Sequence, residues 1–349
     1  MGSELHHGLS EEELEELDGG RVDRRGLLLR GGVAAAGLTM LGSPAAAFAA
    51  RAGSTAKTTK LAVVTHGDTG SFWSVFKAGV DQATRDLKGR GVKVTQVYAN
   101  NDVAKQVAGI NTAIAAKVDV IATSVPDASA LKGPLSNAAK KGIEIITVNS
   151  GEDAFDNVPA IQKTFETHVG QDEEVAGEGA GRQFNAAGAK SVVVVIHEAS
   201  NSGLTERAAG VKKTFHGKTS TLLIPNAKSD IPGTVAKVKA YFARNHGTDA
   251  LLGLDPDVTV PCIAAAPHGT KIGTFDLNGD VIKNLESGKM LFAIDQQQYL
   301  QGYLPVVFSV LFVNNLNTVG GGKPILTGPG IVNRANAARV AALAKAGTR

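Results

Sequence analysis

The sequence is poor in cysteine and in aromatic side chains. A single cysteine, Cys262, occurs among 349 residues, so no internal disulfide can form and packing must hold the fold. Aromatic residues make up 5% of the chain, with one tryptophan, which makes each ring scarce. Charged residues make up 20% and the net charge is +3. A mild excess of this kind does not indicate a nucleic-acid partner.

Motifs for catalysis and metal binding are also missing. The sequence contains no His-Glu-x-x-His, no phosphate-binding Gly-x-x-x-x-Gly-Lys-Ser/Thr loop and no nucleophile elbow. His66, His168 and His197 are far apart and lack the spacing of metal ligands. We therefore expect no catalytic residue, metal or cofactor. An enzyme using His66 with Asp68, or His197 with Glu198, as an acid–base pair is the first alternative.

The first 49 residues have the pattern of an export signal. An acidic leader precedes Arg24-Arg25, and an apolar stretch rich in Ala and Gly, residues 33–49, closes on Ala47-Phe48-Ala49. A basic region, a short apolar region and a small-x-small cleavage site define a cleaved signal peptide, and the paired arginines resemble a twin-arginine signal. An uncleaved membrane anchor is the alternative. Either way, the body would lie in the periplasm or at the outer face of the cytoplasmic membrane.

Cleavage after Ala49 would leave 300 residues, enough for two domains with a core each. The remaining chain carries 32 basic and 25 acidic residues, a net charge of +7. Residues 50–59 are typical of a flexible linker. The cleavage site has no cysteine that could carry a lipid.

From Lys60 onward, apolar strands alternate with amphipathic helices. The first half predicts strands at 61–64, 92–94, 118–122 and 143–148, with helices starting near 72, 103 and 129. The second half, from His168, predicts helices at 173–187, 203–215, 232–245 and after Asp257, and strands at 192–196, 222–224, 250–254 and 271–275. These βαβ units predict an α/β fold with two doubly wound parallel-sheet lobes.

Polar residues gather in the loops that follow the strands, where ligands of such sheets bind. Carboxylates and amides suit the neighbouring hydroxyls of a polyol, and an aromatic ring can stack on an apolar sugar face. We expect only one of Phe72 and Trp73 in the cleft, because adjacent helical side chains point about 100° apart. Helix capping is the alternative role for each Asp or Asn. The candidate ligand-binding residues are His66, Asp68, Phe72, Trp73, Asp127, Asn149, Asn201, Thr205, Arg207, Asp255, Asp276 and Gln296.

Several stretches resemble the type I periplasmic solute-binding proteins of ABC importers, in the ribose-binding-like branch for monosaccharides and polyols. The resemblance covers nearly all of residues 60–338. Its most specific stretch runs from Ala293 to Tyr303, Ala-Ile-Asp-Gln-Gln-Gln-Tyr-Leu-Gln-Gly-Tyr. The other stretches are Thr65-His66-Gly67 with Phe72-Trp73 and Gly79, His168 to Glu173, Asn201 with Gly203-Leu204 and Arg207, Thr274-Phe275-Asp276, and Thr327-Gly328-Pro329.

The resemblance implies a Venus-flytrap protein whose lobes are joined by a three-strand hinge, with crossings near Gly170, Gln296 and Thr327. The lobes would comprise residues 60–170 plus 297–326, and residues 171–296 plus 327–349. By position, ring stacking falls on Phe72 and Trp73, and a guanidinium clamp falls on Arg207 or, if the match slips, on Thr205. The position of a hydroxyl-binding carboxylate falls on Asn149, so this sequence has an amide where the family commonly has an aspartate. Asp276 and Gln296 take the acidic and hinge-proximal amide positions.

The implied function is an extracytoplasmic binding protein, a monomer, that captures a monosaccharide or polyol and delivers it in the closed form to a membrane permease. A neutral sugar, a pentitol and a cyclitol such as myo-inositol all remain open as ligands. A sugar sensor, a sugar-active enzyme on the same fold, a transcriptional repressor and an adhesive surface protein are the alternatives. A repressor would need an N-terminal DNA-binding domain, where the export signal stands.

Overall fold

The structure, a computed structural model, describes residues 57–67, 69–152, 154, 158–161, 164–225 and 227–349. The predicted signal peptide at 1–49, the first seven residues of the predicted linker and Asp68 lie outside the described residues. Within the described ranges, no helix is both long and apolar enough to cross a membrane.

The first sheet has six strands, all parallel, in the order β11-β5-β4-β3-β1-β2. Near-continuous apolar runs such as Leu61 to Val64 form its centre, because helices cover both faces of the sheet. The strands are β1 Thr59–Thr65, β2 Val92–Tyr98, β3 Val120–Thr123, β4 Glu144–Asn149, β5 Phe165–Gly170 and β11 Ile325–Leu326. The helices packed on it are α1 Ser71–Asp86, α2 Val103–Ala115, α3 Ala128–Lys140 and α9 Gln298–Asn315.

The second sheet has the order β12-β10-β9-β8-β6-β7. Its last strand, β12, pairs antiparallel with β10, so the sheet is parallel except at this edge. The strands are β6 Ser191–Ile196, β7 Lys218–Leu223, β8 Ala250–Gly253, β9 Lys271–Phe275, β10 Phe292–Asp295 and β12 Gly330–Asn333. The helices packed on it are α4 Glu173–Ala186, α5 Ser202–Thr214, α6 Ile231–Arg244, α7 Pro256–Cys262, α8 Gly279–Glu286 and α10 Ala337–Ala346. We call each sheet with its helices the first and second lobe.

The two lobes share one topology. In each sheet the strand order reverses between the first and third strands in sequence, β1 and β3 in one lobe and β6 and β8 in the other. Each sheet also has apolar clusters on both faces, as a doubly wound fold requires. The predicted fold class is therefore confirmed. Ligands of such sheets bind at the carboxyl ends of the strands, near the point where the order reverses.

Most predicted elements lie within a few residues of the observed ones, and one strand is displaced. The predicted strand at 222–224 is β7, which runs from Lys218 to Leu223. Its Thr and Ser residues do not form an apolar run, because β7 is an edge strand and is half-exposed. Among the strands and α-helices of the described ranges, seven had no prediction: β5, β10, β11, β12, α8, α9 and α10.

The chain passes between the sheets at three places, after Gly170, after Asp295 and between Leu326 and Gly330. Thr327 ties these passages together. Its backbone N–H and its hydroxyl both donate to the Gly170 carbonyl, at 2.6 and 2.9 Å, and the hydroxyl lies 2.7 Å from the Gln296 carbonyl.

Glycines allow one pair of helices to touch backbone to backbone beside the site. A Cβ atom on Gly177 in α4 would collide with the Arg207 carbonyl in α5, and one on Gly210 in α5 would collide with the Glu174 carbonyl in α4. This close approach brings the first residue of α4 next to Arg207.

Candidate functional site

The carboxyl ends of both sheets face a small inner chamber that opens into a wider cleft. The inner chamber has a volume of about 30 Å³ and the outer cleft about 910 Å³. The chamber is the size of one or two water molecules, so a sugar ring requires the lobes or side chains to move apart. Its lining residues are His66, Phe72, Trp73, Asn149, His197, Glu198, Asn201, Leu204, Arg207, Lys228, Leu254, Asp255, Asp276 and Gln296.

The first lobe contributes aromatic rings, a histidine and an amide. Phe72 and Trp73, in the first turn of α1, are each 4% exposed, with ring centroids 4.8 Å apart in an edge-to-face arrangement. His66, just after β1, lies with its ring 4.9 Å from Trp73, and its Nδ1 is 2.7 Å from the Ser124 hydroxyl. The expectation that only one of the two rings reaches the cleft is wrong. Both line the chamber, because the first turn of α1 lies between the sheet core and the cleft.

The second lobe contributes a buried ion pair. The Arg207 guanidinium on α5 donates twice to Glu173, from Nε at 2.6 Å and from Nη2 at 2.9 Å. Its Cζ lies 4.4 Å from the centroid of the Phe275 ring, and both charged side chains are nearly fully buried. The Gln171 amide also donates to Glu173 at 2.8 Å. Carboxylate and aromatic ring therefore fix the plane of the guanidinium that borders the chamber.

Glu198 reaches across the cleft from the loop after β6. Its carboxylate is 3.7 Å from His66 Nε2 of the first lobe and 3.7 Å from His197 Nε2 of its own lobe. Asn201 donates to it at 2.7 Å. Burial acts to raise the pKa of Glu198, but the two histidines and the Asn201 hydrogen bond lower it overall. Burial lowers the pKa of His197, which favours its neutral form.

Asn201 and Asp255 cap helices and also border the chamber. Asn201 Oδ1 accepts from the Gly203 N–H at the start of α5, and Asp255 Oδ1 accepts from the Asp257 N–H at the start of α7. The other Asp255 oxygen lies 3.1 Å from Lys228 Nζ. Capping and lining are thus compatible roles, because helix starts follow strand ends at this edge of the sheets.

A chain of hydrogen bonds joins the lobes at the bottom of the chamber. The Gln296 amide nitrogen donates to Asp276 at 2.8 Å, and its oxygen is 3.5 Å from Asn149 Nδ2. Asn149 is the last residue of β4 and Asp276 follows the equivalent strand β9, and both have left-handed backbones with φ of 60° and 65°. Asn and Asp tolerate this conformation better than other non-glycine residues.

Asp276 is a buried acid at the bottom of the chamber. Burial raises the pKa of its carboxyl group well above the ordinary value, and the nearby Arg207 offsets only part of that effect. A protonated Asp276 could donate one hydrogen bond as well as accept, whereas a carboxylate can only accept.

Nine of the twelve candidate residues meet in the chamber, and Asp127 and Thr205 do not. Asp127 lines the outer cleft, where its carboxylate caps α3 by accepting from the Ser129 and Ala130 N–H groups. Thr205 is exposed on α5 and lines neither space, because its side chain points away from the face that carries Arg207. Asp68 lies outside the described residues.

Five chamber residues were not among the candidates: His197, Glu198, Leu204, Lys228 and Leu254. Glu173, which fixes Arg207, was not a candidate either. His197 and Glu198 stand in a polar loop directly after a predicted strand, a signal equal to that of the chosen residues. Lys228 carries no local signal. Glu173 ends one of the stretches that carry the resemblance, but only tertiary packing shows that it holds Arg207.

Residues 61–313 match the periplasmic binding protein domain family. The chain belongs to this family. Its fold and its resemblance to the type I sugar-binding proteins are confirmed by a solved structure, a carbohydrate transporter from Acidothermus cellulolyticus 11B in complex with myo-inositol. The two chains are 32% identical with a TM-score of 0.77, over 83% of this chain and 99% of the other.

Two curated relatives are named as ribose import binding proteins. The ribose import binding protein RbsB of Haemophilus influenzae is 24% identical over 68% of this chain and 79% of its own length. The ribose import binding protein RbsB of Bacillus subtilis is 24% identical over 67% of this chain and 74% of its own length. These relatives are substrate-binding proteins and not enzymes, in agreement with the prediction of a binding protein.

Proposed function

We propose that this periplasmic binding protein captures a neutral polyol, cyclitol or monosaccharide between its lobes and delivers it in the closed form to an ABC permease. The observation that carries the proposal is the convergence of hydrogen-bonding groups from both lobes on one chamber at the carboxyl ends of both sheets. The lobes would divide at 60–170 plus 297–326 and at 171–296 plus 327–349, and the protein would act as a monomer.

Myo-inositol is the first ligand to test. The solved relative that shares 32% of its residues with this chain holds it, and a cyclitol offers hydroxyls around its ring for the amides and carboxylates of the chamber. A strongly anionic ligand fits less well. Three acidic residues, Glu198, Asp255 and Asp276, border the chamber, and its lining contains one arginine and one lysine. Those cations, Arg207 and Lys228, are already paired with carboxylates.

Closure follows from differential affinity. A ligand that contacts both lobes binds the closed form more tightly than the open form, and it shifts the population by that difference. Hydrogen bonds to charged groups contribute about 1.5 to 3 kcal/mol each, net of the hydrogen bonds to water that they replace.

A thermal-shift screen of the purified protein against myo-inositol, pentitols, pentoses and hexoses tests this function. A ligand that binds only the native state must raise the melting temperature. We expect myo-inositol or a close polyol to do so and isothermal titration to give one site. A panel with no stabilising compound would contradict the proposal.

Export through the twin-arginine pathway is a separate part of the proposal. Mass spectrometry of the extracytoplasmic protein should find a chain starting at Ala50, and lysines in place of Arg24 and Arg25 should retain the precursor in the cytoplasm. A mature chain that still carries residues 1–49 would indicate the membrane anchor instead.

A further inference from the structure

Among the residues that the structure describes, no side chain of the first lobe caps the start of its first helix, α1. Gly70 is the N-cap residue of α1 and has no side chain that could accept from the exposed N–H groups. Asp257 of the second lobe takes that role. Its carboxylate accepts from the Ser71 N–H at 2.8 Å and from the Ser71 hydroxyl at 2.5 Å. Asn278 of the second lobe donates to the same hydroxyl at 3.2 Å.

The reverse arrangement occurs at the start of α5 in the second lobe. The N–H of Ser202, its first residue, donates to the Pro126 carbonyl of the first lobe at 3.1 Å. The Ser150 hydroxyl of the first lobe donates to Asn201, the N-cap residue of the same helix, at 3.1 Å. Each lobe thus supplies acceptors or donors to a helix start in the other.

These contacts can exist only when the lobes are close together. The first N–H groups of a helix have no partner within the helix and need a side chain, water or another segment. A carboxylate there is favoured by both the hydrogen bonds and the helix dipole. When the lobes separate, the hydrogen bonds between Asp257 and Ser71 break and both residues bond to water instead. Their contact therefore favours the closed form.

Neither Ser71 nor Asp257 lines the inner chamber. Asp257 borders the outer cleft, and its own backbone N–H is held by Asp255 at 2.7 Å. We propose that Asp257 and Ser71 form a cap between the lobes that sets ligand affinity without contacting the ligand. The inference rests on the proposed function, in that affinity is its main readout.

Asp257→Ala is the decisive variant. If the unliganded protein is mainly open, the apparent Kd rises by the same factor by which the variant lowers the population of the closed form. A lost helix cap corresponds to roughly a three- to tenfold rise in Kd for myo-inositol, or for whichever polyol of the panel binds. Ser71→Ala should have a smaller effect, because its backbone N–H remains. In the Asp257→Ala background it should add almost nothing, since the two residues act as a pair.

Asp230→Ala is the matched control. Asp230 is also a carboxylate at a helix start, more exposed than Asp257, and it accepts from Gly233 N–H of its own lobe at 2.9 Å. Its loss should lower the melting temperature of the unliganded protein and leave the Kd within twofold of wild type. If Asp257→Ala likewise lowered the melting temperature and left the Kd unchanged, its role would be structural only, and the proposed cap between the lobes would be wrong.

A second readout needs no ligand. Spin labels at Lys105→Cys on α2 and Lys239→Cys on α6 would report the distance between the lobes, since both positions are exposed and Cys262 is buried. We expect Asp257→Ala to shift the unliganded distribution toward longer distances. Identical distributions together with an unchanged Kd would overturn the cap and leave the binding function intact. If wild type binds no compound, the proposed function fails, and the distance distributions alone decide whether the cap exists.

Discussion

The two lobes have the same strand order but opposite chemistry at equivalent positions. At the end of β4 the first lobe has an amide, Asn149, and at the end of the equivalent strand β9 the second lobe has a carboxyl group, Asp276. The helix that follows the first strand of the first lobe, α1, carries the rings of Phe72 and Trp73. The equivalent helix of the second lobe, α5, carries Arg207, which is paired with a carboxylate. The same fold therefore presents a mostly neutral surface on one side of the chamber and a charged one on the other.

Because of this difference, we expect the first lobe to recognise the shape of the ligand and the second lobe to make the stronger hydrogen bonds. Rings offer a large flat contact that costs little side-chain entropy, while charged groups make hydrogen bonds about twice as strong as neutral ones. The charged groups are costly to bury and require fixed partners, which the second lobe supplies. We therefore expect substitutions in the second lobe to affect both stability and affinity more strongly than equivalent substitutions in the first.

The largest effect is expected from Arg207→Ala. It leaves the Glu173 carboxylate buried without its partner, which should lower the free energy of unfolding by about 3 to 5 kcal/mol. Affinity for the ligand should fall more than tenfold. Urea unfolding and isothermal titration measure the two quantities. The double variant Glu173→Met with Arg207→Met should regain most of the stability but not the affinity.

Arg182→Ala is the control for this prediction. Arg182 lies on α4 and pairs with Glu178 one turn away, with its side chain half exposed. Exposed pairs of this kind contribute little, so both the unfolding curve and the Kd should stay close to wild type. An Arg207 variant with wild-type affinity would remove the guanidinium from the binding site.

An exchange between lobes tests whether position or composition matters. Asp276→Asn should weaken binding more than tenfold, because the amide has one acceptor oxygen beside Arg207 where the carboxyl group has two. Adding Asn149→Asp restores the composition, but puts the carboxyl group beside the neutral Gln296 and Ser150. Titration of the double variant should therefore still show weak binding. Recovery of wild-type affinity would mean that the two lobes are interchangeable.

The same variant predicts a pH effect on stability. The folded-state pKa of Asp276 is raised, so the group contributes stability below its unfolded pKa of about 4 and loses it as pH rises through the folded value. Wild type should thus lose stability relative to Asp276→Asn as pH rises from 4 to 7. Unfolding curves of both proteins across that range give the difference, and a constant difference would contradict the raised pKa.

The sequence predicts the second lobe's strands and polar loops about as well as the first lobe's, because both signals are local. Continuous apolar runs identify interior strands such as β1 and β6, and capping residues at strand ends identify where the chamber lies. Edge strand β7 and the short strand β11 lack an apolar run, so the pattern misses their extent.

The partners of the charged groups are harder to predict. Glu173 lies 34 residues before Arg207 in the sequence, and close helix packing at Gly177 and Gly210 brings the two together. The burial of both Phe72 and Trp73 depends in the same way on long-range packing, since α9 returns from the second sheet to cover α1. Local periodicity contains no information about either contact.

The smallest expected effect distinguishes two equivalent helix caps, Asp127 after β3 and Asp255 after β8. Asn caps a helix about as well as Asp, so Asp127→Asn should leave stability and affinity nearly unchanged. Asp127→Ala should lower the free energy of unfolding by about 1 kcal/mol at neutral pH. The hydrogen bond from the Ser129 hydroxyl lowers the Asp127 pKa, so this contribution should be lost as pH falls through that lowered value.

Asp255→Asn keeps the cap at the start of α7 but removes the charge that faces Lys228 at 3.1 Å. Its effect should therefore appear in affinity, with a Kd several times that of wild type, while Asp127→Asn leaves the Kd unchanged. Titration of these two variants under one condition isolates the role of charge, because the change of atoms and the capping geometry are matched. Equal Kd values would show that the second lobe's charge at this position does not take part in binding. The difference between the lobes would then rest on Arg207 and Asp276.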